Sequence, residues 1–215
     1  MASQVSIMNR ALTHLGESTI LLPTDNVKQA RVLSAIYDDT RDAELRANRW
    51  KFAIKRTRMS ALAEAPAWGY SFQYELPDNY LAMVQVNDIY VTTGTKQKAP
   101  WSVEGRRVLT DLGAPLALRY VARIVDTTLF DALFTDSFSL RLAMNACEAL
   151  TQSDTKFQKL AQLYKEAISR AVRVDAVENP PDELPSGSWI TSREGGSVSG
   201  LAADGGIWPS GVEVL

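Results

Sequence analysis

Apolar residues in this protein recur at steps of three and four, then at steps of two, then at three and four again. A helix gathers residues i, i+3 and i+4 on one face and a strand gathers i and i+2, so the change of period divides the sequence into helical, β and helical stretches. In the first stretch Ser3 is a suitable N-cap ahead of Val5, Met8, Leu12 and Leu15, and Gly16 closes the helix. Past Pro23, Asp25 or Asn26 caps a second helix that turns Val27, Ala30, Leu33, Ile36 and Tyr37 toward the core. Its later turns are dense in charge, with Asp42 and Arg46 one helical turn apart, which predicts a solvated or intersubunit face.

Between Trp50 and Val125 the period shortens. Tyr70, Phe72 and Tyr74 alternate with Ser71 and Gln73, and Tyr80, Ala82, Val84 and Val86 alternate with Leu81, Met83 and Gln85. Trp101-Ser102-Val103 and Val108-Leu109 flank Glu104-Gly105-Arg106 as strands flank a hairpin turn, and Leu116, Leu118, Tyr120 and Val121 make another strand. About four or five short strands predict a small, mostly antiparallel sheet. Helical spacing returns after Phe130: Leu140, Met144, Cys147 and Leu150 line a third helix, and Phe157, Leu160, Tyr164, Ile168, Ala171 and Val174 a fourth, which Pro180-Pro181 ends. The two helical pairs must meet across the strands to bury their stripes. The predicted class is therefore α+β, mainly α: a four-helix bundle (helices 3–15, 26–48, 137–152 and 155–176) with an inserted small antiparallel sheet over about 50–125 and an extended C-terminal tail.

That tail begins where the composition breaks, so the body is 1–176 and the tail 177–215. The tail holds seven of the 12 glycines and four of the 9 prolines, and Arg193 is its only basic residue against six acids, Glu178, Asp182, Glu183, Glu194, Asp204 and Glu213. It is thus acidic by five charges, and of the 23 basic and 25 acidic residues in all, 22 and 19 remain in the body. Such a segment buries too little apolar area to offset its ordering entropy by itself. Trp189, Ile190, Ile207, Trp208, Val212 and Leu215 are nevertheless anchors of the kind that partners bury, and they predict a tail that orders on a neighbour.

The same counts narrow the chemistry. A net charge of −2 supplies no general basic field to neutralise a phosphate backbone. One cysteine makes no internal disulfide and one histidine no His-rich metal site. No apolar run approaches the ~18 residues of a membrane span, and the opening Met1-Ala2-Ser3-Gln4-Val5 has no basic start or short apolar block, which predicts a product made and kept soluble. His14 lies within the first helix and Cys147 on the apolar stripe of the third, neither beside a nucleophile's usual partners. Gly195-Gly196 and Gly205-Gly206 lie in the tail rather than between a strand and a helix, so no phosphate loop is formed. Asp38, Asp39, Asp42 and Glu44 are the best paired carboxylates for glycoside hydrolysis, but Arg41 and Arg46 interleave them as in a salt-bridged surface. Asp111, Asp126 and Asp131 suit turn and cap positions. The basic run Arg46, Arg49, Lys51, Lys55, Arg56 and Arg58, with Trp50 and Phe52 inside it, suits a helix exit tucked into the core with its charges toward acidic protein partners. Stacking and phosphate contact with nucleic acid is the other use of such a run.

Several segments, in order, resemble one family. Ala11-Leu12 with Leu15-Gly16, Tyr37-Asp38-Asp39-Thr40-Arg41-Asp42, Arg49-Trp50-Lys51-Phe52-Ala53, Tyr70 with Tyr74 and Leu76-Pro77, Val103-Glu104-Gly105-Arg106, and Leu118-Arg119-Tyr120 through Asp126 to Tyr164 and Ala171 are similar to the tail tubular protein A family, the head-to-tail adaptors of short-tailed bacteriophages. The similarity spans about positions 4 to 176 and leaves the tail unmatched. It implies a structural connector without catalytic residues, cofactor or metal, located in the virion at the head-to-tail junction after synthesis in the host cytoplasm. It implies a homo-oligomeric ring, twelve copies in this family, between the portal protein and the tail nozzle protein (tail tubular protein B), with genomic DNA passing through the lumen without sequence-specific binding and with no membrane contact. A ring requires two different complementary faces on each subunit. For the present protein the expected intersubunit residues are Asp38, Arg41, Asp42, Arg46, Arg49 and Arg56, and the expected partner-binding residues are the tail anchors Trp189, Ile190, Ile207, Trp208, Val212 and Leu215. A tail-associated glycan hydrolase is the alternative.

Overall fold

The computed structural model describes residues 2–87, 89–90 and 100–177, which fall in a unit spanning Met1–Glu178. Among the described residues four α-helices and seven strands follow one another: α1 (Gln4–Leu15), α2 (Lys28–Ala47), β1 (Ile54–Met59), β2 (Phe72–Glu75), β3 (Tyr80–Val86), β4 (Ile89–Tyr90), β5 (Trp101–Glu104), β6 (Arg107–Thr110), β7 (Leu116–Ala122), α3 (Ala132–Thr151) and α4 (Asp154–Val177). The class is α+β, and all strand pairing among the described residues is antiparallel. Among the described residues no helix is long and apolar enough to cross a membrane.

The ends of the helices follow local chemistry. Ser3 accepts the Ser6 N–H, Ser6 returns a bond to the Ser3 N–H, and Gly16 closes α1 at φ 71°, a left-handed conformation that costs a residue with a Cβ about 1 kcal/mol. The second helix departs from expectation at its start. Val27, not Asp25 or Asn26, is its N-cap, because the Asp25 carboxylate is already taken by the Leu21 and Leu22 N–H groups of the preceding turn. The third helix begins five residues before the predicted 137, where Asp131 accepts the Leu133 and Phe134 N–H groups.

Side by side, the four helices are not equivalent. The third is the hub: it packs against α1, α2 and α4, and Phe134, Phe138, Leu142, Ala143 and Ala146 are all fully enclosed, well beyond the single stripe expected from Leu140 and Cys147. The fourth is the outlier in the other direction. Only Leu160, Ala167 and Ala171 of its 24 residues are buried, and Phe157 and Val174, expected inside, are each 45 % exposed.

The strands form two sheets rather than the single one expected. One has the order β1-β7-β3-β4 and the other β2-β6-β5. The expected hairpin is present: β5 and β6 pair across Glu104-Gly105-Arg106, with Gly105 at φ 58°. Alternation fails in β2, where adjacent Gln73 and Tyr74 are both buried, the amide of Gln73 being satisfied by the Glu64 carbonyl and by Arg107. The first strand, Ile-Lys-Arg-Thr-Arg-Met, has no apolar alternation and is recognisable only by its partner β7.

Candidate interaction surface

The segment Arg49 to Ala53 forms the joint between helices and strands. Trp50 is buried, its indole N–H donates to the Glu44 carbonyl at 3.1 Å, and its ring meets Phe134 edge-on at 5.1 Å. Glu44 is among the last four residues of α2, whose carbonyls have no intrahelical partner, so the indole caps the C-terminal end of that helix. Phe52 extends the contact to Phe130 and Phe134. Trp50 and Phe52 thus tuck the exit of α2 into the core and clamp its end chiefly onto α3.

The charged turns of α2 divide into an inner and an outer set. Arg41 is 4 % exposed and bonds Asp38 at 2.7 Å and Asp42 at 2.8 Å; the other oxygen of Asp42 accepts Arg123 Nε at 2.6 Å, just past β7. Arg46 donates to the Leu81 carbonyl on β3. Of the six residues expected between subunits, Arg41 is buried against two acids of its own helix, while Asp42 and Arg46 reach Arg123 and β3 of the same subunit. Asp38, Arg46, Arg49 and Arg56 are exposed. The tail anchors Trp189, Ile190, Ile207, Trp208, Val212 and Leu215 lie outside the described residues.

Glu44 is buried, and both its oxygens accept from Tyr164 Oη on α4, at 2.9 and 3.1 Å. Burial raises its pKa, opposed by the Tyr164 hydrogen bond and the positive charge of Arg141. Arg141 lies 5.3 Å over the Tyr164 ring, so one acid, one phenol and one guanidinium join three helices. Tyr164 is itself pushed well above the ordinary phenol range, first by burial and then by Glu44. Glu44 and Asp42 are thus structural ties. Asp126 behaves as turn chemistry predicts, accepting from the hydroxyl and N–H of Thr128, which hold its carboxyl below the usual range, whereas Asp111 accepts from the N–H and hydroxyl of the distant Ser71 and so ties the start of β2 to the end of β6. Cys147 is buried with its sulfur 3.3 Å from Thr151 Oγ1. His14 lies on the outer side of α1.

A group of like charges lies on the sheet containing β1. In the antiparallel register Arg56 lies opposite Arg119 and Arg58 opposite Ala117, while Arg119 faces Gln85 on its other side. Opposed residues share a face, so Arg56, Arg58, Arg119 and Gln85 project together. The reverse face carries the buried Met59, Leu116, Leu118, Tyr120 and Val86. Arg56 and Arg58 are exposed and Arg119 half-buried, its Nε enclosed without a hydrogen-bond partner. Arg119 and Arg123 were not among the residues expected to matter; the signal available was an arginine between the apolar Leu118 and Tyr120 of a strand. No protein-family model matches this sequence, and no curated protein matches it at a significant level.

Proposed function

We propose that this protein is the head-to-tail connector of a short-tailed bacteriophage: a ring, of twelve copies by the resemblance, between the portal protein and the tail nozzle, through which genomic DNA passes. What carries the reading is the order in which the resembling segments fall along about positions 4 to 176. Each contributes a cap, a turn or a core contact: Gly16 ends α1, Arg41 binds two acids of α2, Trp50 clamps α2 to α3, Tyr74 and Tyr120 are buried, and Gly105 turns the β5–β6 hairpin. A protein that works by shape depends on residues of this kind.

The function then resides in surfaces, with the body supplying ring contacts and the tail anchors reaching the portal. Mixing the purified full-length protein with portal rings tests this directly. Imaging should show an added ring of density below the portal; a protein that leaves portal rings unchanged and is missing from purified particles refutes the connector reading.

A further inference from the structure

One face of the β1-β7-β3 sheet holds three arginines, Arg56 and Arg58 exposed on the edge strand and Arg119 half-buried, and among the described residues none of them forms an ion pair or a hydrogen bond through its side chain. Two of them, Arg56 and Arg119, stand directly opposite each other, a like-charge arrangement that destabilises an isolated sheet. The enclosed Nε of Arg119 is a donor without an acceptor, which adds to that cost. A carboxylate laid against the exposed Arg56 and Arg58 relieves the like-charge opposition, because guanidinium groups bind carboxylates through paired N–H bonds.

A matching group exists on the same molecule. Asp38 and Asp39, on the outer side of α2, are the one place among the described residues where two acids are adjacent, and both are exposed. Asp38 uses only one oxygen on Arg41 and remains 75 % exposed at its side chain, and Asp39 has no bonded partner among the described residues.

We infer that the Arg56, Arg58 and Arg119 face of one copy receives the Asp38-Asp39 turn of α2 from the next copy, joining subunits head to tail. The inference rests on the connector reading for the idea that copies adjoin, and it names the contact. The two patches differ, so the interface is heterologous and closes as a ring when the rotation between subunits allows. A second copy suits the face better than duplex DNA: three arginines on a protein of net charge −2 make few phosphate contacts, whereas they match a pair of carboxylates.

Sedimentation of the full-length protein at low and high salt tests the pairing. Arg56→Glu with Arg58→Glu, and separately Asp39→Arg, which leaves the Asp38 to Arg41 bond in place, should each weaken self-association at least tenfold at low salt. The equimolar mixture of the two variants should recover it, since each then offers the other an opposite charge. Wild type that remains monomeric at low salt, or variants that associate as wild type does, overturns the pairing. Retention of duplex DNA that is lost in the Arg56→Glu, Arg58→Glu variant, with no change in association, also overturns it and gives the face to nucleic acid. The connector reading fails separately: portal binding absent from a protein that still self-associates refutes the connector, while portal binding kept by variants that associate normally refutes only the pairing.

Discussion

Replacing Trp50 by alanine isolates the joint on which the helical half depends. The side chain is 1 % exposed, and its removal takes away the edge contact to Phe134 and the donor that caps Glu44. Truncating a fully buried tryptophan costs about 3 to 5 kcal/mol, which already includes most of the aromatic contact. Trp50→Phe keeps an aromatic ring and loses the indole N–H, for about 1 to 2 kcal/mol, because the Glu44 carbonyl is then left without that donor. With a urea slope of about 2 kcal/mol per molar, the alanine variant should unfold about 2 M earlier and the phenylalanine variant about 0.5 to 1 M earlier. Far-UV circular dichroism is the suitable signal, since the protein has 5 tryptophans and fluorescence would confuse the joint with the others. A midpoint shift below about 0.5 M for Trp50→Ala refutes the assignment of Trp50 as the clamp between α2 and α3.

Other outcomes follow from single groups. Tyr37 is buried edge-on to Phe138 with its hydroxyl unpaired among the described residues, so Tyr37→Phe should keep the packing and stabilise by about 1 kcal/mol in urea titrations; destabilisation of that size would mean that the hydroxyl has a partner. Burial pushes the Tyr37 pKa up to about 12 from 10.0, so wild type should lose stability relative to Tyr37→Phe as pH rises from 10 through 12. Glu44 has its pKa raised in the folded state, so its contribution is fully present below the ordinary glutamate value of 4.5 and is lost as pH rises through the raised value. Glu44→Gln should therefore gain on wild type over that interval, and a Gln variant that loses ground to wild type as pH rises contradicts the account. Deleting residues 178–215 should leave the far-UV spectrum of a folded body yet reduce attachment to portal rings, and a truncated protein that attaches as the full-length one does refutes the role given to the tail anchors.

Elements whose periodicity reflects one-sided burial were legible from the sequence, and elements whose burial is set by neighbours were not. α1, β3, β7 and the β5–β6 hairpin fall close to where Leu12 and Leu15, Val84 and Val86, Leu118 and Tyr120, and Gly105 place them. β1 was invisible because Lys55, Arg56 and Arg58 leave it no apolar face of its own; pairing with β7 makes it a strand. The extra buried sides of α3 reflect its three helical neighbours, which no periodicity within the helix reports. The charged residues of α2 were found, but their sorting was not. Arg41 and Arg46 look alike as letters; both have acids of the same helix nearby, and only the packing of α2 buries the first and leaves the second exposed and reaching the Leu81 carbonyl.

The sequence by itself determined the alternation of helical and β segments, the caps Ser3, Gly16 and Asp131, and the compositional break before the acidic tail, because these depend on interactions within a few residues or on composition alone. Tertiary structure alone decided that the strands split into two sheets, that Trp50 closes α2 onto α3, and that Arg56, Arg58 and Arg119 share one sheet face. Those outcomes depend on which distant segments become neighbours: Arg56 and Arg119 lie far apart in the sequence and meet only through strand register, which no local pattern records.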